Sequence, residues 1–224
     1  GSIASLPSLG LLTLAGMTPA QHQRRYLEMP DLSGIDQLPR DVDLVAISSF
    51  SAQIKEAYQV AEHYRTLRIP VVIGGLHVTA LPQEAIAHGA AAVVGEGETV
   101  WHDVLRDAER GHLRPLYDAR GAEFNLAAAP MPAYELLDLE RYNRITVQTS
   151  RGCPWRCSFC ASSILLTRKY KQKPAAQVLA EIDHIRSLWP RPFIEFADDN
   201  SYCHRAYWKA LLPEIAKRQI KWFA

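Results

Sequence analysis

Three cysteines on one short loop constrain this chain more than any other feature. The segment Arg151 to Cys160 reads RGCPWRCSFC and sets Cys153, Cys157 and Cys160 in a Cys-X3-Cys-X2-Cys array, directly after the strand-like run Ile145-Thr146-Val147-Gln148. Three thiolates so spaced can hold three irons of a 4Fe-4S cluster and leave the fourth iron open to a small molecule. A structural zinc site completed by Cys203 or a histidine is the competing reading, although such sites usually come as paired Cys-X2-Cys knuckles. A disulfide framework fits less well, because four cysteines are too few and too clustered to staple a chain of 224 residues. No secretory signal pattern or apolar run of about 18 residues occurs, so the sequence gives no transmembrane segment and points to a reducing cytoplasm.

Composition narrows the partners. The hydrophobic content of 48% is ample for a core, and a formal net charge of +1 with interspersed acids and bases leaves no stripe for nucleic acid. Small molecules are therefore the expected ligands. From Asp43 to Ala108 the chain alternates strand and helix signals: apolar runs at 43–47, 70–73 and 91–94, each followed by a stretch with helical spacing. That pattern predicts a parallel sheet with crossovers, a Rossmann-like domain over residues 1–113. The Pro- and Ala-rich stretch 114–142 reads as a linker. Strand and helix signals resume over 143–224. Pro7 to Met17 reads as a helix that should follow a strand the chain lacks, which gives the expectation of a missing first strand and of a truncated chain.

The cysteine spacing resembles the radical S-adenosylmethionine (SAM) superfamily. Together with Pro70-Val71-Val72-Ile73-Gly74-Gly75-Leu76-His77-Val78-Thr79 and Val93-Val94-Gly95-Glu96-Gly97-Glu98, it resembles the cobalamin-binding radical SAM family, in which a Rossmann-like corrinoid domain precedes a partial (β/α)6 barrel. The resemblance implies a cobalamin-binding domain followed by the first units of that barrel. It also implies a 4Fe-4S cluster on Cys153, Cys157 and Cys160, and SAM chelating the open iron. An external electron donor such as flavodoxin or ferredoxin would reduce the cluster, and a small molecule would be the substrate. Methyl transfer to an unactivated carbon, or radical rearrangement or cyclisation, are the implied reactions.

Candidate contacts follow from position. Ligands of an open parallel sheet bind beyond the carboxyl ends of its strands, where Ser48, Ser49, Gly74, Gly75, His77, Gly95, Glu96 and Gly97 fall as candidates for cobalamin. The Asp-X-His-X-X-Gly loop that supplies a lower-face imidazole to cobalt in cobalamin mutases is absent, so His77 carries that role only weakly. For SAM the candidates are Phe159, before the third cysteine, and Asp198, Asp199 and Asn200, which end the strand Phe193-Ile194-Glu195-Phe196; the bland alternative for these three is to cap the next helix. Pro154 and Trp155 are read as stiffening and shielding the first gap, and Arg151 and Arg156 as offsetting cluster charge. Lys169, Tyr170, Lys171 and Lys173 read as a solvated basic face. Two further readings remain: a radical SAM enzyme whose Rossmann-like domain has lost cobalamin, and a non-enzymatic metal-binding module.

Overall fold

The computed structural model describes residues 6–155, 157–160 and 169–224; Arg156 lies outside them. The chain forms two compact units, one of residues 17–22 and 27–124, the other of residues 125–224 together with 23–26 and the segment up to Gly16.

The helix α1 (Leu9–Met17) opens the chain. In the unit spanning 27–124, β1 (Val45–Ser48), β2 (Val71–Gly74), β3 (Ala91–Val94) and β4 (Leu116–Asp118) lie side by side in that order, all parallel. Parallel neighbours need crossovers, supplied by α2 (Ile54–Thr66), by the pair α3 (Leu76–Ala80) and α4 (Pro82–Ala87), and by α5 (Trp101–Glu109). The crossover after β2 is thus two short helices, with Leu81 at the break and Pro82 opening the second. Ile54, Ala57, Tyr58, Ala61 and Tyr64 are the buried face of α2, the spacing of an amphipathic helix. They close over Ile73, Val78, Ala85 and Ala92. Residues Val71–Ile73 and Ala91–Val94 are buried throughout because each strand is flanked on both sides, whereas β1 at the margin is only half-buried.

The second unit holds another parallel sheet, β5 (Ile145–Val147), β8 (Phe193–Phe196) and β9 (Lys221–Phe223), joined in that order. Helix α6 (Ala175–Leu188) precedes β8, and α7 (Arg205–Lys217) precedes β9. Between β5 and α6 an antiparallel pair, β6 (Ser150–Arg151) with β7 (Lys171–Gln172), brackets the cysteine segment. The core gathers Ile145, Val147, Val178, Ile182, Ile185, Ile194, Leu211 and Ile215 around Trp208; each such aliphatic side chain contributes about 1.5–3 kcal/mol on burial.

Two expected boundaries shift. Residues 116–118, assigned to a linker, pair with β3 as the outer strand β4, with Val93 opposite Tyr117. The rest of that stretch is not a loose connection either, since Tyr134 is buried in the second unit's core and its hydroxyl donates to the Thr146 carbonyl at 3.0 Å. The N-terminal helix, expected at the head of the Rossmann-like domain, places Leu12 in that same core. An apolar helix face goes where a matching apolar surface lies, and chain order does not dictate which unit offers it. No helix among the described residues is long and apolar enough to cross a membrane.

Candidate functional site

The cysteine segment leaves the carboxyl end of β5 and is held at its root by the end of β8. Asp198, two residues beyond β8, accepts through Oδ1 from the amides of Thr149 (2.7 Å) and Ser150 (2.9 Å), and through Oδ2 from the Thr149 hydroxyl (2.5 Å). Asp199 Oδ2 accepts from the amide of Gly152 at 2.7 Å, one residue before the first cysteine. Asn200 Nδ2 points at Cys153 Sγ, 3.6 Å away. Three consecutive polar residues therefore grip Thr149, Ser150, Gly152 and Cys153 in turn. Burial pushes the Asp198 carboxyl above its ordinary range, against the opposing pull of the Thr149 and Ser150 hydrogen bonds.

This changes the roles expected for the acidic triplet. Helix α7 is capped at His204 with no side-chain hydrogen bond, so Asp198, Asp199 and Asn200 do not cap it. Asp198 spends both carboxylate oxygens on the chain itself, so its first task is to fix the cysteine segment. An acidic pair ending an apolar strand was visible in the sequence; the identity of its partners, 47 to 49 residues earlier in the chain, was not.

The returning arm is fixed as well. The amide of Lys173 donates to the Thr149 carbonyl at 2.8 Å, continuing the β6–β7 ladder. Its side chain is 3% exposed and carries the ammonium to 2.6 Å from Glu181 Oε1 on α6. Lys173 is thus no part of a solvated basic face; it is the cation of a buried pair. Removing one member of such a pair typically costs about 3–5 kcal/mol.

None of the four cysteines is in a disulfide; Cys157 is exposed, while Cys153, Cys160 and Cys203 are half-buried. Among the described residues no three Cys, His, Asp or Glu side chains converge as a ready-made metal group. The donor set nonetheless fits a thiolate-bound cluster, with three thiols on one segment whose two arms are anchored, because metal binding itself draws such ligands together. Cys203 donates to the Asn200 carbonyl at 3.2 Å, and burial together with nearby Cys153 pushes its thiol up. Trp155 and Phe159 are 65% and 88% exposed, so Trp155 does not shield the first gap, and Phe159 is not packed beneath it.

In the other unit the predicted cobalamin residues meet at the carboxyl edge of the sheet. Ser48 pairs in register with Gly74. Gly75 has φ +113° and ψ −179°, a conformation only glycine adopts readily, and a Cβ there would stand 3.1 Å from the Ser49 carbonyl and 3.9 Å from Ser48 Oγ. Gly95 (φ +83°) is equally crowded, by the Ala119 backbone at 3.1 Å, and its amide donates to Thr79 Oγ1 at 3.1 Å. These two glycines are required by the chain's own close turns. Glu96 is buried and accepts from the Phe124 amide at 3.0 Å, which makes it a brace for the following loop, and Gly97 starts a 3-10 turn, Gly97–Thr99.

His77 is committed at both ring nitrogens: Nδ1 lies 3.2 Å from Ser51 Oγ and Nε2 3.1 Å from Glu84 Oε2. Glu84 also accepts from Tyr58 at 3.3 Å, and burial with that carboxylate pushes the Tyr58 hydroxyl up to about 12. A ring so engaged does not offer a nitrogen to cobalt. Serine hydroxyls and glycine backbone at a strand edge still fit a large flat corrin, and Phe50, 78% exposed beside Ser49, adds an apolar surface that sequence reasoning passed over.

Comparison with known proteins now bears on the class. Residues 4–105 match the B12 binding domain family, in keeping with the Rossmann-like parallel sheet β1 to β4. An uncharacterized methyltransferase of Synechocystis sp. is 30% identical over 212 residues, covering 94% of this chain and 39% of its own length. The bacteriochlorophyllide d C-8(2)-methyltransferase of Chlorobaculum tepidum is 27% identical over 208 residues, covering 86% and 45%. The chain thus spans less than half the length of these relatives. Among solved structures, the radical SAM methyltransferase TsrM from Kitasatospora setae, with cobalamin and a [4Fe-4S] cluster bound, superposes with a TM-score of 0.71 at 18% identity, over 96% of this chain and 50% of that one. The cobalamin-dependent SAM radical enzyme OxsB gives 0.72 at 19% identity, over 98% and 36%. These last two show likeness of fold. The chain is thus similar to methyltransferases along its length, to the B12 binding domain family over residues 4–105, and in fold to cobalamin-dependent radical SAM proteins.

Proposed function

We propose that this chain is the cofactor-binding part of a cobalamin-dependent radical SAM enzyme that transfers a methyl group to an unactivated carbon of a small molecule. The observation that carries the reading is the anchored cysteine segment at the carboxyl end of β5, beside the end of β8, in a chain that also matches the B12 binding domain family. The parallel β5, β8 and β9 with α6 and α7 are read as the first units of a partial (β/α)6 barrel, whose active sites lie at the carboxyl ends of strands.

In this reading Cys153, Cys157 and Cys160 hold a 4Fe-4S cluster, which when bound supplies the electron that cleaves SAM to a carbon-centred radical, while cobalamin supplies the methyl carrier. The chain's own residues do the placing. Asp198 and Asp199 fix the root of the cysteine segment; Asn200 stands over Cys153; Phe159, exposed next to Cys160, offers a face for the adenine of SAM. Ser48, Ser49, Gly74 and Gly75 would line the corrin side, with Phe50 as an apolar stop, while His77 stays engaged with Ser51 and Glu84. An external donor such as flavodoxin or ferredoxin would supply the electron to such a cluster, in a cytoplasm reducing enough to keep the thiols free.

The full-length protein, purified without oxygen, tests this directly. Iron, acid-labile sulfide and corrinoid should all be present, and reductant should cleave SAM to 5'-deoxyadenosine. Zinc without sulfide would overturn the enzyme reading; cluster and cleavage without corrinoid uptake would leave a radical SAM enzyme whose B12 domain is a scaffold.

A further inference from the structure

The buried pair Lys173–Glu181 has no part in the chemistry above. Glu181 is fully buried on α6, Lys173 almost so at the exit of the cysteine segment, and they meet at 2.6 Å. Glu181 Oε2 has no hydrogen-bond partner among the described residues, and burial pushes this carboxyl up against the pull of Lys173. Charges taken from water and left partly unsatisfied are poor stabilisers; apolar side chains of similar volume often do as well or better. Filling the core therefore does not require an ion pair at this place.

Position offers a reason. The outgoing arm of the segment is gripped by a carboxylate beyond β8, Asp198, through Thr149 and Ser150. The returning arm meets that same Thr149, whose carbonyl accepts from the Lys173 amide at 2.8 Å, and the Lys173 side chain then runs into α6. Each arm is thus tied by one carboxylate to a different element, and a directional ion pair fixes a position that an apolar contact leaves free to slide. We infer that Lys173 and Glu181 are positioning residues that set where the cysteine segment closes, and so hold a cluster bound there in register with the strand ends that face SAM. The inference rests on the cluster reading above.

The test compares full-length wild type with Lys173→Met, Lys173→Arg and the double variant Lys173→Met/Glu181→Leu. Two readouts are taken. The first, on cluster-free protein, is amide hydrogen exchange of peptides covering 149–152 and 170–173; in both Met-containing variants it should quicken by roughly tenfold or more, as local opening of the arms becomes easier, while 145–147 stays as in wild type. The second is the affinity for SAM of the reconstituted protein, read from the change SAM makes in the electron paramagnetic resonance of the reduced cluster. It should fall by about tenfold in the double variant, which removes the buried charges and so regains thermal stability, and return toward wild type in Lys173→Arg. A double variant that recovers SAM affinity along with stability, or arms that exchange as in wild type, would overturn the inference and leave the cluster reading intact. Wild type that takes up no cluster overturns both.

Discussion

Asp198 holds Thr149 by amide and hydroxyl at once, at 2.7 and 2.5 Å, across a gap of 49 residues in sequence. Parallel pairing of β5 with β8 makes this possible, since Val147 stands opposite Phe196 and each strand then ends in step with the other. The carboxylate welds two strand ends and in doing so fixes the start of the cysteine segment.

Replacing Asp198 with Ala should strip two amides and a hydroxyl of their acceptor in a buried place and cost about 1–3 kcal/mol. Thermal unfolding measures it. Asp198→Ser, which keeps a short acceptor, should fall between Ala and wild type; full stability in Asp198→Ala would show that the latch contributes nothing.

Cys153→Ala, Cys157→Ala and Cys160→Ala should each abolish reductive SAM cleavage, whereas Cys203→Ala should keep iron, sulfide and cleavage. Iron retention with full cleavage in Cys157→Ala removes the assignment.

At Gly75 any side chain meets the Ser49 carbonyl in a backbone conformation with φ +113°. Gly75→Ala should lower stability by about 1–3 kcal/mol even without corrinoid. Chemical denaturation of the apo protein reads this; unchanged stability with lost corrinoid uptake would mean that the glycine serves the ligand alone.

For His77, both ring nitrogens are taken by Ser51 and Glu84. The cobalt(II) resonance of the corrinoid-loaded protein should lack superhyperfine splitting from a protein nitrogen, and His77→Ala should leave the spectrum as it is. Splitting that disappears in His77→Ala would reverse the conclusion.

Arg218 clasps Asp183 with two hydrogen bonds of 2.8 Å and holds that carboxyl below its usual 3.8. A depressed carboxylate stabilises the fold above its unfolded pKa, and the contribution disappears as pH falls through the folded value. Arg218→Met should therefore cost up to about 1 kcal/mol at pH 7, screening being considerable at this exposed pair. The difference from wild type should shrink below pH 3.8, as urea titrations at a series of pH values would measure.

Local patterns carried much of this into the sequence. Apolar runs gave β2 and β3 because both are central, and helical spacing marked the stretch that forms α2. The cysteine array and the acidic end of β8 stood out for the same reason, as dense chemistry in few residues. What could not be read were choices made across long separations. Leu12 joins a core whose other buried members begin at Tyr134, Tyr117 completes a sheet from within a proline-rich stretch, and Lys173 finds Glu181 nearly two helix turns inside α6 instead of water. Each depends on which surface lies opposite in space, and no period along the chain encodes that.

The pairing of Arg151 with Lys171 has an engineering consequence. Because the segment leaves and re-enters at one rung, its length can change without moving the points of attachment, and each doubling of a closed loop costs only about 0.6 kcal/mol. The stretch between those two residues is therefore a cassette: segments from distant relatives, spliced at this rung, should be accepted by the scaffold, and insertions there offer a way to vary what surrounds the thiols while the frame beneath them stays constant.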